Sequence, residues 1–192
     1  MDFSYINFLQ KVAKMVAPSG NEKEVLDLWS NEISAYVSDT YSTSLGNVVA
    51  VKHGTCDCRK KIMLTAHADE IGLIITYIDN DGFLYFNEIG GIDTNLLPGK
   101  VVSIKGINGL IDGVIGVKPV HLQERGNNKQ NLSPEDLWID INVKDKEEAL
   151  EFVQIGCVAT LTSDFLVRGS RITGKAMDNR CSLAVLLSVA RK

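Results

Sequence analysis

His67, Asp69 and Glu70 end the stretch Lys61-Ile62-Met63-Leu64-Thr65-Ala66-His67-Ala68-Asp69-Glu70, which begins as a short apolar run. The run has the length and bounds of a buried strand, although a short apolar run alone does not exclude a helix. In a strand, side chains alternate, so His67 and Asp69 project to the same side. In open α/β sheets ligands sit just beyond the carboxyl ends of strands. An imidazole and a carboxylate arriving there together fit a metal ligand and the group that orients it.

A second stretch has the same character: Ile172-Thr173-Gly174-Lys175-Ala176-Met177-Asp178-Asn179-Arg180 sets an acidic residue just before a helix expected near residue 180. Asp178 reads there either as a reactive carboxylate or, with equal force, as an N-cap shared with Asn179. Cys56, Cys58 and nearby His53 invite a metal reading too. A polar hairpin tip is the stronger account, because structural zinc takes four ligands and no second Cys/His pair follows at finger spacing. Other chemistries lack their motifs. No Gly-x-Ser-x-Gly elbow, phosphate-binding P-loop or Gly-x-Gly-x-x-Gly fingerprint occurs.

The elements that must position these residues read as follows. Tyr5, Leu9, Val12, Ala13 and Val16 repeat at helical spacing over residues 4–17, and Pro18-Ser19-Gly20 breaks that helix. Asn21 with Glu24 resembles a capping box opening a second helix. Its buried stripe is Val25, Leu28, Trp29, Ile33, Tyr36 and Val37. Strands are expected at 41–43, 48–51 and 61–66. After Gly72 the pattern turns to short β-rich runs punctuated by glycine: 73–78 and 83–86 joined by Asp79-Asn80-Asp81-Gly82, then 101–104, 110–115, 137–143 and 158–161. One helix interrupts them at 146–153, capped by Asp145. Gln123–Ser133 lacks periodicity and reads as a mobile loop.

The fold class is therefore α/β, with an α/β domain at 1–71 that resumes at 169–192 and a small β-barrel domain inserted at 72–168. The closing helix, Leu183 to Ala190, is apolar nearly all round. It is expected to be covered by a partner subunit or by further chain beyond Lys192. A length of 192 residues, 45% hydrophobic and 23% charged, supports a core without disulfide staples. The net charge of −4 and the lack of a basic stripe argue against nucleic acid. No apolar run nears the roughly 18 residues of a membrane span. The first residues lack a secretory signal, which makes the cytoplasm the expected location.

Ala66-His67-Ala68-Asp69-Glu70-Ile71-Gly72 resembles the first metal motif of the TET-type dinuclear metallo-aminopeptidases. This is the glutamyl and deblocking aminopeptidase group, some members of which are labelled endoglucanase or cellulase M. Similarity recurs in the family's order, in Ala17-Pro18-Ser19-Gly20, Gly46-Asn47-Val48, Glu88-Ile89-Gly90-Gly91, Gly113 to His121, and Lys175-Ala176-Met177-Asp178-Asn179-Arg180. The resemblance implies a zinc-exopeptidase-like α/β domain, incomplete in this chain, with an inserted β-barrel domain. It implies two divalent metal ions per complete site, zinc or cobalt with manganese as a further choice. It also implies a peptide substrate, and homo-oligomers as large as dodecamers.

By position in those motifs, His67 would bind one metal, Asp178 would bridge both, and Asp69 would act in catalysis by holding His67. His121 receives no role. The family's general-base Glu, the metal-binding Glu beside it, a further carboxylate and a late His follow the second motif and have no counterpart here. The isolated chain is thus expected to be inactive, as the N-terminal portion of a metal-dependent aminopeptidase. Asn142, Cys157 and Cys181 depart from residues usual in the family. Two other readings are a non-catalytic assembly module derived from the family and, on labels alone, a carbohydrate hydrolase.

Overall fold

The computed structural model describes residues 3–54, 60–118 and 132–192. Cys56, Cys58, His121 and most of the Gln123–Ser133 stretch lie outside them. The chain divides into two compact units, Met1–Glu70 with Asp164–Lys192, and Ile71–Ser163.

The first unit is built on α1 (Phe3–Lys14), α2 (Lys23–Ile33) and a hairpin of β1 (Asp39–Ser42) with β2 (Val48–Val51). Phe8, Leu9, Val12, Val25, Trp29 and Ile33 are buried together, so the 3.6-residue stripes of both helices meet in one core. The capping box expected at Asn21 does not form. Glu22 is the N-cap of α2 and makes no side-chain cap bond, because its carboxylate instead accepts from Gly20 N at 2.7 Å. Tyr36, expected in the stripe, is partly exposed beyond the end of α2.

The run 61–66, expected as a strand, belongs to no strand. Ile62 and Met63 are 87% and 85% exposed. A strand is defined by a neighbour that takes its hydrogen bonds. The described residues supply one only at the far end, where Glu70 bridges Pro18 in parallel and its N–H donates to Ala17 O at 3.2 Å.

The first unit resumes with β9 (Leu166–Arg168) and β10 (Arg171–Thr173), an antiparallel pair, and then α4 (Met177–Ala190). Leu166–Arg168, which the sequence reading set at the end of the β domain, therefore pairs within the first unit. Leu183, Ala184 and Leu187 bury one face of α4 in the core, and Trp29 Nε1 donates to Leu183 O at 3.2 Å. Val185 and Val189 on its other side are exposed. No helix among the described residues is long and apolar enough to cross a membrane.

The second unit is a closed antiparallel barrel of β3 (Gly72–Ile78), β4 (Leu84–Ile89), β5 (Val101–Gly106), β6 (Gly109–Val117), β7 (Leu137–Asp140) and β8 (Val158–Leu161), in the order β3-β4-β7-β6-β5-β8. Period-2 alternation sends Leu73, Ile75, Val102, Ile104, Leu137 and Ile139 inward. A register shift between Ile75 and Tyr77 lets Ile78 face inward as well. Asp79 closes the β3–β4 turn by accepting from Asp81 N and Phe83 N at 3.0 and 2.9 Å. The helix α3 (Lys146–Phe152) opens as its sequence indicates, with Asp145 Oδ1 accepting from Glu148 N at 2.9 Å, and it adds Ala149 to the barrel core.

Candidate metal centre

The first unit brings His67, Asp69 and Asp178 into one row. Asp69 Oδ1 lies 2.8 Å from His67 Nδ1, and Asp178 Oδ1 lies 3.1 Å from His67 Nε2. The same-side placement of His67 and Asp69 was expected from strand alternation. It arises here from their direct hydrogen bond, since 61–66 joins no sheet.

Asp178 and Asn179 have non-helical backbones (φ −87°, ψ 100° and φ −128°, ψ 26°), so the regular turns of α4 begin near residue 180, as expected. Ala176, just before them, makes no side-chain cap bond and has a left-handed backbone, with φ 55° and ψ 24°. This turn sends Lys175 back into the unit while Asp178, 95% exposed, reaches His67. The Asp178–Asn179 peptide bond is cis.

A neutral imidazole donates from one nitrogen only. If Nδ1–H donates to Asp69, Nε2 presents a lone pair to a carboxylate oxygen. A cation between them satisfies both. Two ligands held at about 2.0–2.2 Å by one tetrahedral ion stand roughly 3.3–3.5 Å apart, a little more than the Nε2–Oδ1 separation of 3.1 Å. One imidazole with one carboxylate suits zinc, cobalt or manganese. Among the described residues no group of three or more His, Cys, Asp or Glu converges to hold an ion. Two such ligands fall short of the three that a catalytic zinc ordinarily takes from protein.

Asp69 is held from its other side by Ser19, whose hydroxyl donates to Oδ2. Partial burial works against the charged carboxylate. The hydrogen bonds from Ser19 and His67 outweigh it and hold the carboxyl below its ordinary value. The sequence places Ser19 in a helix break and in a motif shared with the family, but gives it no role. The break is what carries its hydroxyl past the end of α1 to Asp69.

A buried ionic network adjoins the row, and its members were also unassigned from sequence. Lys175 Nζ contacts both oxygens of Glu70, at 2.6 and 2.8 Å, and donates to Met15 O at 2.8 Å. Arg180 is fully buried. Its NH2 lies 3.0 Å from Glu70 Oε1, and Nε donates to Ala68 O at 2.8 Å. NH1 donates to Val12 O and Met15 O at 2.7 and 3.0 Å, and NH2 to Ala17 O at 3.2 Å. Burial pulls the Lys175 and Arg180 groups below their ordinary values, and the facing Glu70 carboxylate opposes that pull. The available signal was a basic residue in the first turn of an otherwise apolar helix, with an acidic residue closing an apolar run.

Residues 46–192 match the model of the M42 glutamyl aminopeptidase family. A protein of Acetivibrio thermocellus that carries the provisional name aminopeptidase is 37% identical over 97% of this chain and 53% of its own length. The crystal structure titled endoglucanase from Thermotoga maritima is 35% identical, with a TM-score of 0.82 over 95% of this chain and 53% of that one. The Pyrococcus horikoshii TET1 peptidase, described as assembling into a tetrahedron or a large octahedral shell, is 33% identical, with a TM-score of 0.83 over 97% of this chain and 56% of that one. The chain spans about half the length of each of these proteins.

Proposed function

The chain belongs to the M42 glutamyl aminopeptidase family, and from that premise we propose that its protein is a metal-dependent aminopeptidase to which this chain supplies the metal ligands His67 and Asp178. The observation that carries the reading is the row Asp69–His67–Asp178, with a carboxylate on one ring nitrogen and a second carboxylate at shared-ion distance from the other. Asp69 would hold His67 as the Nδ1–H tautomer, leaving Nε2 free to ligate and raising its basicity. Asp178, exposed at the start of α4, has a second carboxylate oxygen with which to reach another ion. Two divalent ions, when bound, would make a bridging water acidic and polarise the scissile carbonyl of a peptide. The remaining ligands and the general base would come from residues other than those described here.

The assembly described for the Pyrococcus horikoshii relative supports a homo-oligomer here as well, with a dodecamer as the specific expectation. A cytoplasmic location goes with that reading. The experiment is an assay of aminoacyl p-nitroanilides with the protein at the length its own cells make. Release should stop on chelation, return with zinc, cobalt or manganese, and vanish in His67→Ala. The endoglucanase title of one relative motivates the competing assay. Reducing sugar freed from β-glucan in the presence of chelator, with no aminopeptidase activity, would replace this reading by a carbohydrate hydrolase.

A further inference from the structure

We propose that Glu70, Lys175 and Arg180 form a clamp that sets the spacing of His67 and Asp178, so that cation binding depends on this buried network as well as on the two ligands. The proposal rests on the metal reading above and names its positioning residues. Connectivity makes the case first. Glu70 follows His67 by three residues, Lys175 precedes Asp178 by three, and Arg180 follows Asp178 by two. Contacts of 2.6, 2.8 and 3.0 Å between Glu70 and the two cations therefore tie the two ligand-bearing stretches together on both sides of Asp178.

The guanidinium also donates to Ala68 O at 2.8 Å, the carbonyl between His67 and Asp69. A third stretch is drawn in at the end of α1. Met15 O accepts from both Lys175 and Arg180, at 2.8 and 3.0 Å, and Ala17 O accepts from Arg180 at 3.2 Å. That stretch leads directly to Ser19, which holds Asp69.

Stability alone is a poor account of this arrangement. Apolar side chains of similar volume in place of buried ion pairs are often neutral or stabilising. What an apolar cluster lacks is direction. It would pack the same stretches without fixing the offset between His67 and Asp178 to within a hydrogen-bond length.

The test uses the protein at the length its own cells make, since two ligands do not complete a site. Lys175→Met is the informative variant, because Glu70 keeps Arg180 as its counter-charge. Two quantities are read: Co2+ affinity from visible absorption, and the nuclear Overhauser effect between the His67 ring and the Asp178 β-protons without metal. In Lys175→Met the affinity should fall about tenfold or more, and the cross-peak should be lost. Lys175→Arg should keep the cross-peak and bind within about threefold of the parent, the charge and donor being preserved. Val25→Ala, a core change in α2, should lower the unfolding midpoint and move neither quantity.

The clamp is overturned if folded Lys175→Met keeps the parent's affinity and cross-peak, or if Val25→Ala loses both to the same degree. Should Lys175→Met fail to fold, Lys175→Gln carries the same measurements. A parent protein of that length that shows the cross-peak but takes up no Co2+ removes the metal reading. The clamp is then judged on the cross-peak in the variants alone.

Discussion

Replacing Arg180 with methionine should destabilise the first unit by about 3 kcal/mol. Removing one partner of a buried ion pair costs roughly 3–5 kcal/mol where it leaves the other charge unpaired. Here Glu70 retains Lys175 at 2.6 and 2.8 Å, which places the loss at the lower end. Three of the four carbonyls bonded by the guanidinium keep a second donor. Met15 N still reaches Val12 O, Lys175 reaches Met15 O, and Glu70 N reaches Ala17 O. The carbonyl of Ala68 loses its 2.8 Å donor, and a buried acceptor left short costs about 1–3 kcal/mol. The methionine stem returns part of this through apolar burial.

The chain has two tryptophans, Trp29 in the core of the first unit and Trp138 on β7 of the barrel, so each unit has its own reporter. Urea unfolding of Arg180→Met in a Trp138→Phe background isolates Trp29. With a slope of about 1–3 kcal/mol per molar urea, the midpoint should fall by roughly 1–3 M. A loss below about 1 kcal/mol on the Trp29 signal would refute the claim that the Arg180 ion pair and hydrogen bonds stabilise this unit.

Asp69→Asn should weaken divalent-cation binding by about 10–100-fold in isothermal titration while leaving the far-ultraviolet circular dichroism unchanged, as expected for the loss of a carboxylate that orients a ligand. The same variant should flatten the acid limb of stability. The Asp69 carboxyl is held below its ordinary value of 3.8, so its contribution is present above that value and lost as pH falls through the lowered one. Ala176→Gly should stabilise the first unit by up to about 1 kcal/mol in urea melts, since the left-handed backbone at φ 55° is strained for alanine but not for glycine. Gly106→Ala should destabilise the barrel by about 1–3 kcal/mol on the Trp138 signal. Its Cβ would stand 2.6 Å from the backbone carbonyl of Phe152, which cannot rotate away.

The sequence by itself determined the first two helices, α3, the helix after residue 180 and the strands of the barrel, and it singled out His67, Asp69 and Asp178. Helical stripes in α1 and α2, alternation in β3 and β5, and the Asp79–Gly82 and Asp145 signals are local patterns of period and turn chemistry, and they survive in the structure. His67 and Asp69 were legible as ionisable residues closing an apolar run, and Asp178 as an acid just before a helix.

Tertiary structure alone decided the rest. Whether 61–66 becomes a strand depends on a neighbour to receive its hydrogen bonds, and no local pattern encodes that neighbour. The turn that brings Asp178 to His67 includes a left-handed backbone at Ala176, which alanine does not advertise. Ser19, Glu70, Lys175 and Arg180 acquire meaning only when distant stretches are folded together, as in the contacts of Ser19 with Asp69 across 50 residues and of Lys175 with Glu70 across 105 residues of chain. A buried charge is stable only beside its counter-charge, and which residues those are is fixed by the packing of α1, α4 and the segment that carries His67.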